Sequence, residues 1–335
     1  MSASPRNPRR MTSLDAAFYH LERTGQLLHV GGVQTVEGQL DFERLVADVG
    51  ERLHLIPRYL ECAVSVPLSL AHPTWEPDPH FDVRHHITRH RLRPPGDDAQ
   101  LSQLVSRLFA QPLHRDRPLW ELHLIDGYGG DRSVLFSKVH HCMIDGVSGV
   151  QLMAVLFDPT PNPPPSPPAP AVPPPPPLPA ASTQLVRALE EGVHDGIDRA
   201  RALWRLVRRP RRALAEVGAV AEAIGELGRV LLAGTPATPF NGHVSTLRRV
   251  VWTTFALNEV KAVKNRLGGT VNDVVLATIT AALRRYLEAH GVRPERTELV
   301  AALPVNVRRP DERLALGNRV SALVAPLPVG IFDPL

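Results

Sequence analysis

The sequence predicts an α/β protein of layered helices and sheets, divided into two lobes with a functional cleft between them. Three observations predict it. A chain of 335 residues is long enough to bury two cores. Strand-like alternation and helix-like spacing succeed one another both early and late in the chain. Between these stretches runs Pro159 to Pro179, PTPNPPPSPPAPAVPPPPPLP, which lacks the backbone donors for inner strand or helix and reads as an extended spacer. The run could also serve as a ligand for a proline-reading domain, but a plain linker is the simpler reading.

In chain order, Leu14 to Leu21 suits a short helix and His29 to Val36 alternates as a half-buried strand. Asp41 to Leu53 returns to helical spacing, with Phe42, Leu45, Val46, Val49 and Leu53 on one face and Asp41 as a natural N-cap. Phe81 to Leu92 mixes β-branched and basic residues, and Asp97 to Phe109 reads as a helix. Trp120 to Ile125 is a strand expected to end in an Asp126-Gly127 turn, and Ser133 to Val139 is the next strand, joined to it as a hairpin through Gly129, Gly130 and Asp131. That topology places the residues after Val139 at the end of a sheet strand. Val147 to Phe157 reads as a helix closing the first lobe at residue 158.

The linker occupies 159–182, and 183–235 is expected to be a helical, arginine-rich connector. There Leu185, Leu189, Ile197, Leu203 and Leu206 carry the apolar side, with arginines at 199, 201, 205, 208, 209, 211 and 212 beside Trp204. Such a helix suits an anionic bilayer, and equally a solvated face packed on its own protein. From 236 the α/β pattern resumes, with strands at Val250 to Ala256 and Leu299 to Val305 and helices beginning near Asn258 and at Asn272. The chain stops at Leu335 after strand-like residues, so the second lobe is expected to be incomplete.

Composition excludes several classes. A hydrophobic share of 43% and a charged share of 21% are those of a globular protein. The two cysteines, Cys62 and Cys142, make neither a disulfide framework nor a metal knuckle and fit a reducing cytoplasm. No signal peptide or membrane span is visible, leaving peripheral contact at the inner face of the plasma membrane or a lipid-droplet surface. The net charge of +4 suits an anionic membrane or cofactor, and the absence of a nucleic-acid-binding signature argues against nucleic acid.

Chemistry concentrates in Lys138 to Gly149, KVHHCMIDGVSG, which holds His-His-x-x-x-Asp-Gly at His140, His141, Asp145 and Gly146. Adjacent histidines point in different directions, so one can face a reaction while the other packs. Histidine is the usual general base at neutral pH. Asp145 is expected to hold the turn and the imidazole, and Gly146 to permit close backbone approach. A zinc site lacks a third or fourth ligand here.

The motif resembles the signature of the coenzyme-A-dependent acyltransferases, which include chloramphenicol acetyltransferases and peptide-synthetase condensation domains. Further blocks narrow the resemblance to the bacterial wax ester synthase/diacylglycerol acyltransferase family. They are Leu14-Asp15-Ala16 through Glu22, His29-Val30-Gly31-Gly32, Trp75 with Asp78 and Phe81-Asp82, Pro95-Gly96, Arg117 to Glu121, Leu124 to Gly127, Phe240-Asn241-Gly242, Arg248-Arg249, Val271 to Ala277, Pro304 to Arg308 and Leu316-Gly317-Asn318. The resemblance covers roughly residues 11 to 158 and 236 to 332.

It implies two chloramphenicol acetyltransferase-like lobes with the active site between them. His141 would be the general base, His140 its packing neighbour, and Asn272 and Asp273 the opposite wall. Pro118, Leu119 and Trp120 would line the acyl path or lock the strand by packing; Asn272 would equally serve as a plain N-cap. Arg308 would neutralise Asp145 or lie on the surface. The implied reaction transfers an acyl group from acyl-CoA, a co-substrate, to diacylglycerol or a long-chain alcohol, with no resident cofactor or metal. Family members usually continue beyond the position of Leu335, which leaves two other expectations: an inactive remnant that binds lipid or coenzyme A, and a condensation-type enzyme using carrier-protein thioesters.

Overall fold

The computed structural model describes residues 9–22, 26–143, 155–157, 174–192, 238–242, 244–306 and 320–331. The described residues form two compact units, the first holding those up to 192 together with Ser245–Val250. In this unit, helix α1 (Ser13–Leu21) is capped by the Thr12 hydroxyl, which accepts from the Asp15 N–H at 3.1 Å. Strand β1 spans His29–Val36. Helix α2 (Phe42–Arg52) opens at Asp41, whose carboxylate accepts from the Arg44 N–H at 2.7 Å, and it buries Leu45, Val46 and Val49.

Strands β2 (Glu61–Val64) and β3 (Thr74–Pro77) pair antiparallel as a small separate sheet. Then follow β4 (Ile87–Arg91), α3 (Asp98–Phe109), β5 (Trp120–Tyr128) and β6 (Arg132–His140). The main sheet has the order β1-β6-β5-β4. β6 lies antiparallel between β1 and β5, while β4 runs parallel to β5 with α3 in the connection.

Strand alternation divides the core in two. Trp120, Leu122, Leu124, Leu135 and Val139 join α1, α2 and Trp75 in one cluster. Ile125, Val134 and Phe136 meet Leu101, Leu104, Val105 and Leu108 of α3 in the other. Each buried large apolar side chain stabilises the fold by ~1.5–3 kcal/mol, so these two faces hold α1, α2 and α3 on the sheet. Gly31 of β1 allows a close approach: a Cβ there would lie 2.9 Å from the Phe136 ring and 3.1 Å from that of Phe109.

Three sequence expectations are corrected. Strand β5 does not end at Asp126-Gly127 but continues through a bulge to Tyr128, and the chain reverses at Gly129 and Gly130, both at positive φ. Residues 250–256 form no strand; their β-branched composition favours extension, but no ladder partner exists among the described residues. The helical run 181–192 turns Gln184 and Ala188 inward and leaves Leu189 57% exposed. Polar contacts choose that face: Gln184 Nε2 donates to Thr74 Oγ1 at 3.0 Å, and Arg187 approaches the buried Glu76 at 3.6 Å. The Val147 to Phe157 helix, the linker and the connector lie outside the described residues except for 155–157 and 174–192.

The second unit contains α4 (Leu257–Leu267), α5 (Val271–Ala289) and most of a two-stranded sheet of β7 (Leu299–Asn306) and β8 (Val320–Leu327). Leu287, Leu299 and Val329 form its small core. Arg284 ties it together by donating to the Val329 carbonyl at 2.8 Å and to Glu295 at 2.7 Å.

Gly96 sits at φ +67, where an added Cβ would lie 1.9 Å from the Gly127 carbonyl oxygen. Gly130, at φ +97, has nothing within 4 Å of that position. Gly96→Ala is therefore expected to cost ~3 kcal/mol or more and Gly130→Ala ~1–2 kcal/mol, read from urea unfolding midpoints.

Candidate active site

The paired histidines stand where β6 runs out. His140 is its last residue, and its N–H donates to the Leu119 carbonyl at 2.9 Å. The His141 N–H donates to the Leu28 carbonyl at 2.8 Å, and the Met143 N–H to the His140 carbonyl at 2.9 Å. Bonds to the segments on both sides thus pin the backbone of the motif, and loop motion cannot displace the rings freely.

The two rings have different surroundings. His140 is 1% exposed. Its Nδ1 accepts from the Cys142 N–H at 3.1 Å, which leaves the proton on Nε2, 3.6 Å from Glu22 Oε1. Tyr19 meets the same ring edge-on at 6.3 Å. His141 is half-buried and stacks on Phe18 at 4.5 Å, with the planes 19° apart. Asp145 and Gly146 lie outside the described residues, as does Arg308.

Glu22 was legible in the sequence only as the end of the opening block, yet it is the carboxylate that meets His140. Its Oε1 accepts from the Leu28 N–H at 3.1 Å and its Oε2 from Arg115 Nη2 at 3.0 Å. Arg115 also donates to the Tyr19 carbonyl at 2.9 Å and covers the Tyr19 ring at 4.3 Å. Burial pushes the Glu22 carboxyl up, but His140, Arg115 and the Leu28 N–H outweigh it and hold the group at about 2. Cys142 is 1% exposed, and burial above all pushes its thiol far up, so it stays protonated.

Behind the histidines, the α3 face of the sheet carries a buried polar row. Lys138 is fully buried, and Nζ reaches Glu121 Oε2 at 2.7 Å and the Leu108 and Gln111 carbonyls at 3.1 Å each. Glu121 also meets His123 Nε2 at 3.3 Å. Burial raises the Glu121 carboxyl, yet His123 and Lys138 bring it down to about 2. His29, opposite His140 in the β1–β6 register, donates from Nε2 to the Phe109 carbonyl at 2.7 Å. Burial lowers its pKa and favours the neutral ring.

Pro118, Leu119 and Trp120 are buried, and protein groups surround them. Trp120 Nε1 donates to the Tyr59 carbonyl at 2.9 Å, and its ring stacks on His86 at 4.4 Å. Leu119 holds the histidine backbone through its carbonyl. In the second unit Asn272 is exposed and is not the N-cap; Thr270 is. Asp273 completes that capping box, accepting from the Thr270 N–H at 2.7 Å and the Thr270 hydroxyl at 2.8 Å, and these bonds hold its carboxyl below the ordinary value. Helix α5 accordingly starts at Val271, one residue before the expected position. Among the described residues no three His, Cys, Asp or Glu side chains converge as a metal site, and no helix is long and apolar enough to cross a membrane.

The fold is that of the condensation-domain class. The first condensation domain of the calcium-dependent antibiotic synthetase superposes with a TM-score of 0.54 at 16% identity, over 95% of this chain and 69% of that one. The chain belongs to the wax ester synthase/diacylglycerol acyltransferase family, whose catalytic domain matches residues 11–275. The structure of the wax ester synthase/diacylglycerol acyltransferase from Marinobacter aquaeolei VT8 matches with a TM-score of 0.59 at 26% identity, covering 91% of this chain and 69% of that one. A Mycobacterium tuberculosis (strain CDC 1551 / Oshkosh) protein provisionally named a diacylglycerol O-acyltransferase is 33% identical over 333 residues, 97% of this chain. The chain spans 64% of that relative's length.

The depressed carboxyls of Glu22 and Glu121 set an acid limit on stability. Their folded values of about 2 lie below the ordinary 4.5, so their contribution is complete above about pH 5 and is lost as pH falls through 4.5 toward 2. Urea midpoints measured from pH 7 to pH 3 should fall below pH 4.5, and Glu121→Gln should flatten the fall. Lys138→Met leaves the partly buried Glu121 without its cation and should cost at most ~3–5 kcal/mol, while Lys138→Met with Glu121→Gln should cost less than Lys138→Met alone.

Proposed function

We propose that this chain is an acyl-CoA-dependent O-acyltransferase that esterifies diacylglycerol, and long-chain alcohols as alternative acceptors. Family membership supports the reaction class. The observation that carries the residue assignment is the contrast at the end of β6, where one histidine is sealed in the core and its neighbour is half-buried on Phe18. The half-buried ring of His141 can meet a substrate, whereas His140 is committed to Cys142 and Glu22.

In this mechanism His141 accepts the acceptor hydroxyl's proton as the oxygen attacks the thioester carbonyl. The tetrahedral intermediate collapses with cleavage of the carbon–sulfur bond, and the leaving thiolate takes the proton from His141. Ester and free coenzyme A are the products, and the histidine ends as it began. The protonated thiol of Cys142 supports direct transfer without an acyl-cysteine. His140 and Glu22 act as positioning residues, and Asp145 is assigned the same role within the turn. Asn272, exposed in the first turn of α5, is the residue of the second unit that we assign to substrate. Pro118, Leu119 and Trp120 are assigned to fixing the strand beside the histidines rather than to the acyl path. Contact with a membrane or a lipid-droplet surface would be peripheral.

The test is coenzyme A release from palmitoyl-CoA with dioleoylglycerol or hexadecanol. His141→Ala should lower the rate by ~10²–10⁴-fold, the usual worth of a general base, and Cys142→Ala should leave it within about twofold. A Cys142→Ala loss matching that of His141→Ala would overturn the direct-transfer mechanism. Unchanged turnover in a folded His141→Ala protein would overturn the general-base assignment.

A further inference from the structure

Where β4 ends against α3, a cleft of about 450 Å³ opens at the other end of the sheet from the histidines. His90, Arg91, Arg93, Gln100, Gln103 and Arg107 supply its polar lining, and no carboxylate lines it. Arg91 and Arg93 also line an adjoining cleft of about 400 Å³. Arg91 lies opposite Asp126, and Trp120 opposite Val139, so the cleft is displaced roughly 20 Å along β5 from the histidines.

The three arginines differ from others in this unit. Arg44 is paired with Asp48, Arg58 with Glu61, Arg84 with Glu43, Arg89 with Asp126 and Arg115 with Glu22. Arg91, Arg93 and Arg107 have neither an ion pair nor a side-chain hydrogen bond among the described residues. Asp126, the acid opposite Arg91, is committed to Arg89 at 2.7 Å. Arg91, Arg93 and Arg107 are exposed, so solvent screens their mutual repulsion, and their summed positive potential in one concavity favours an anion there. Burial first, then His123 and last Arg107, lower the pKa of His90 beside the cleft.

The donors suit a tetrahedral oxyanion. Guanidinium forks bind phosphate oxygens bidentately. Gln100 commits its carbonyl oxygen to the Gly96 N–H at 2.9 Å, which leaves its amino group as the remaining polar end. Helix α3 and the buried Leu92 and Leu104 form the wall; Arg91 ends β4, Arg107 lies on α3, and Arg93 lies in the connection between them, its carbonyl accepting from the Gly96 N–H at 2.9 Å. We propose that this cleft is a phosphomonoester-binding site separate from the acyl-transfer site, with Arg91, Arg93 and Arg107 as its clamp. The phosphate could belong to a lipid headgroup or to a small molecule in solution, and the chemistry of capture is the same.

The full chain tests this with two probes: inorganic phosphate followed by calorimetry, and co-sedimentation with phosphatidylcholine vesicles with and without phosphatidate. Arg91→Gln/Arg93→Gln/Arg107→Gln is compared with Arg44→Gln/Arg84→Gln/Arg117→Gln, which removes the same charge from surface arginines that have acidic partners. Unfolding midpoints verify that both variants fold. The cleft variant should bind at least one probe about tenfold more weakly than the control, as expected for losing charge-assisted hydrogen bonds. Binding of inorganic phosphate supports the site with a soluble ligand, and binding only to phosphatidate vesicles supports it with a headgroup. Equal losses in the two variants, or no binding of either probe by the unaltered chain, would overturn it. Because His141 is intact in both variants, failure here leaves the acyl-transfer assignment standing.

Discussion

The buried ion pair of Lys138 and Glu121 holds together the parts on which everything else rests. Lys138 lies on β6 two residues before His140, Glu121 stands opposite it on β5, and the remaining two contacts of the ammonium are carbonyls at and just past the end of α3. Burying two charges costs several kcal/mol per ion unless the geometry satisfies them. Here every ammonium proton has an acceptor, and a cation at a helix C-terminus also meets the favourable end of its dipole. Strand, neighbouring strand and helix are thereby held at one point, and the paired-histidine motif begins two residues later.

That anchoring explains how adjacent residues acquire different chemistry. β6 ends at His140 and His141 lies just past it, so the two rings meet different residues of α1 and its end. His140 closes onto α1 and Glu22, while His141 stacks on Phe18. The carboxylate beside the sealed ring is itself held by Arg115 and by the Leu28 N–H, and the carbonyl of the same Leu28 receives the His141 N–H. One loop residue therefore connects the support of both histidines. A ring held in this way needs little reorganisation to meet a bound molecule.

Much of this was legible in the sequence where local rules act alone. β1 has the bounds its alternation predicts, and Asp41 caps α2 as its side-chain chemistry requires. The hairpin carrying the motif was legible from its glycines. The bulge at Asp126 was not, because Asp-Gly is the commonest turn signal and only the cross-strand ladder shows that β5 continues. β2 and β3 were not legible because they are short and carry Glu61 and Glu76; Glu61 pairs with Arg58 three residues before it, and the buried Glu76 with Arg9, far away in sequence. Glu22 and Arg115 are separated by a large part of the first unit, and no local pattern joins them. Helix 181–192 misled for a related reason: its polar Gln184 has a buried hydroxyl to meet, and the leucines beside it do not choose the face.

The treatment of charge separates the two ends of the sheet. Around the histidines, the buried Lys138 is answered by a carboxylate and two carbonyls, and the exposed Arg115 by the Glu22 carboxylate. Where β4 meets α3, guanidiniums crowd together with no acid in the wall. Core packing does not require that difference, since arginines elsewhere on the same unit, at comparable exposure, have acidic neighbours. Charge compensation at one end and its absence at the other are consistent with a sheet that supports proton transfer at the end of β6 and holds an anion beside β4.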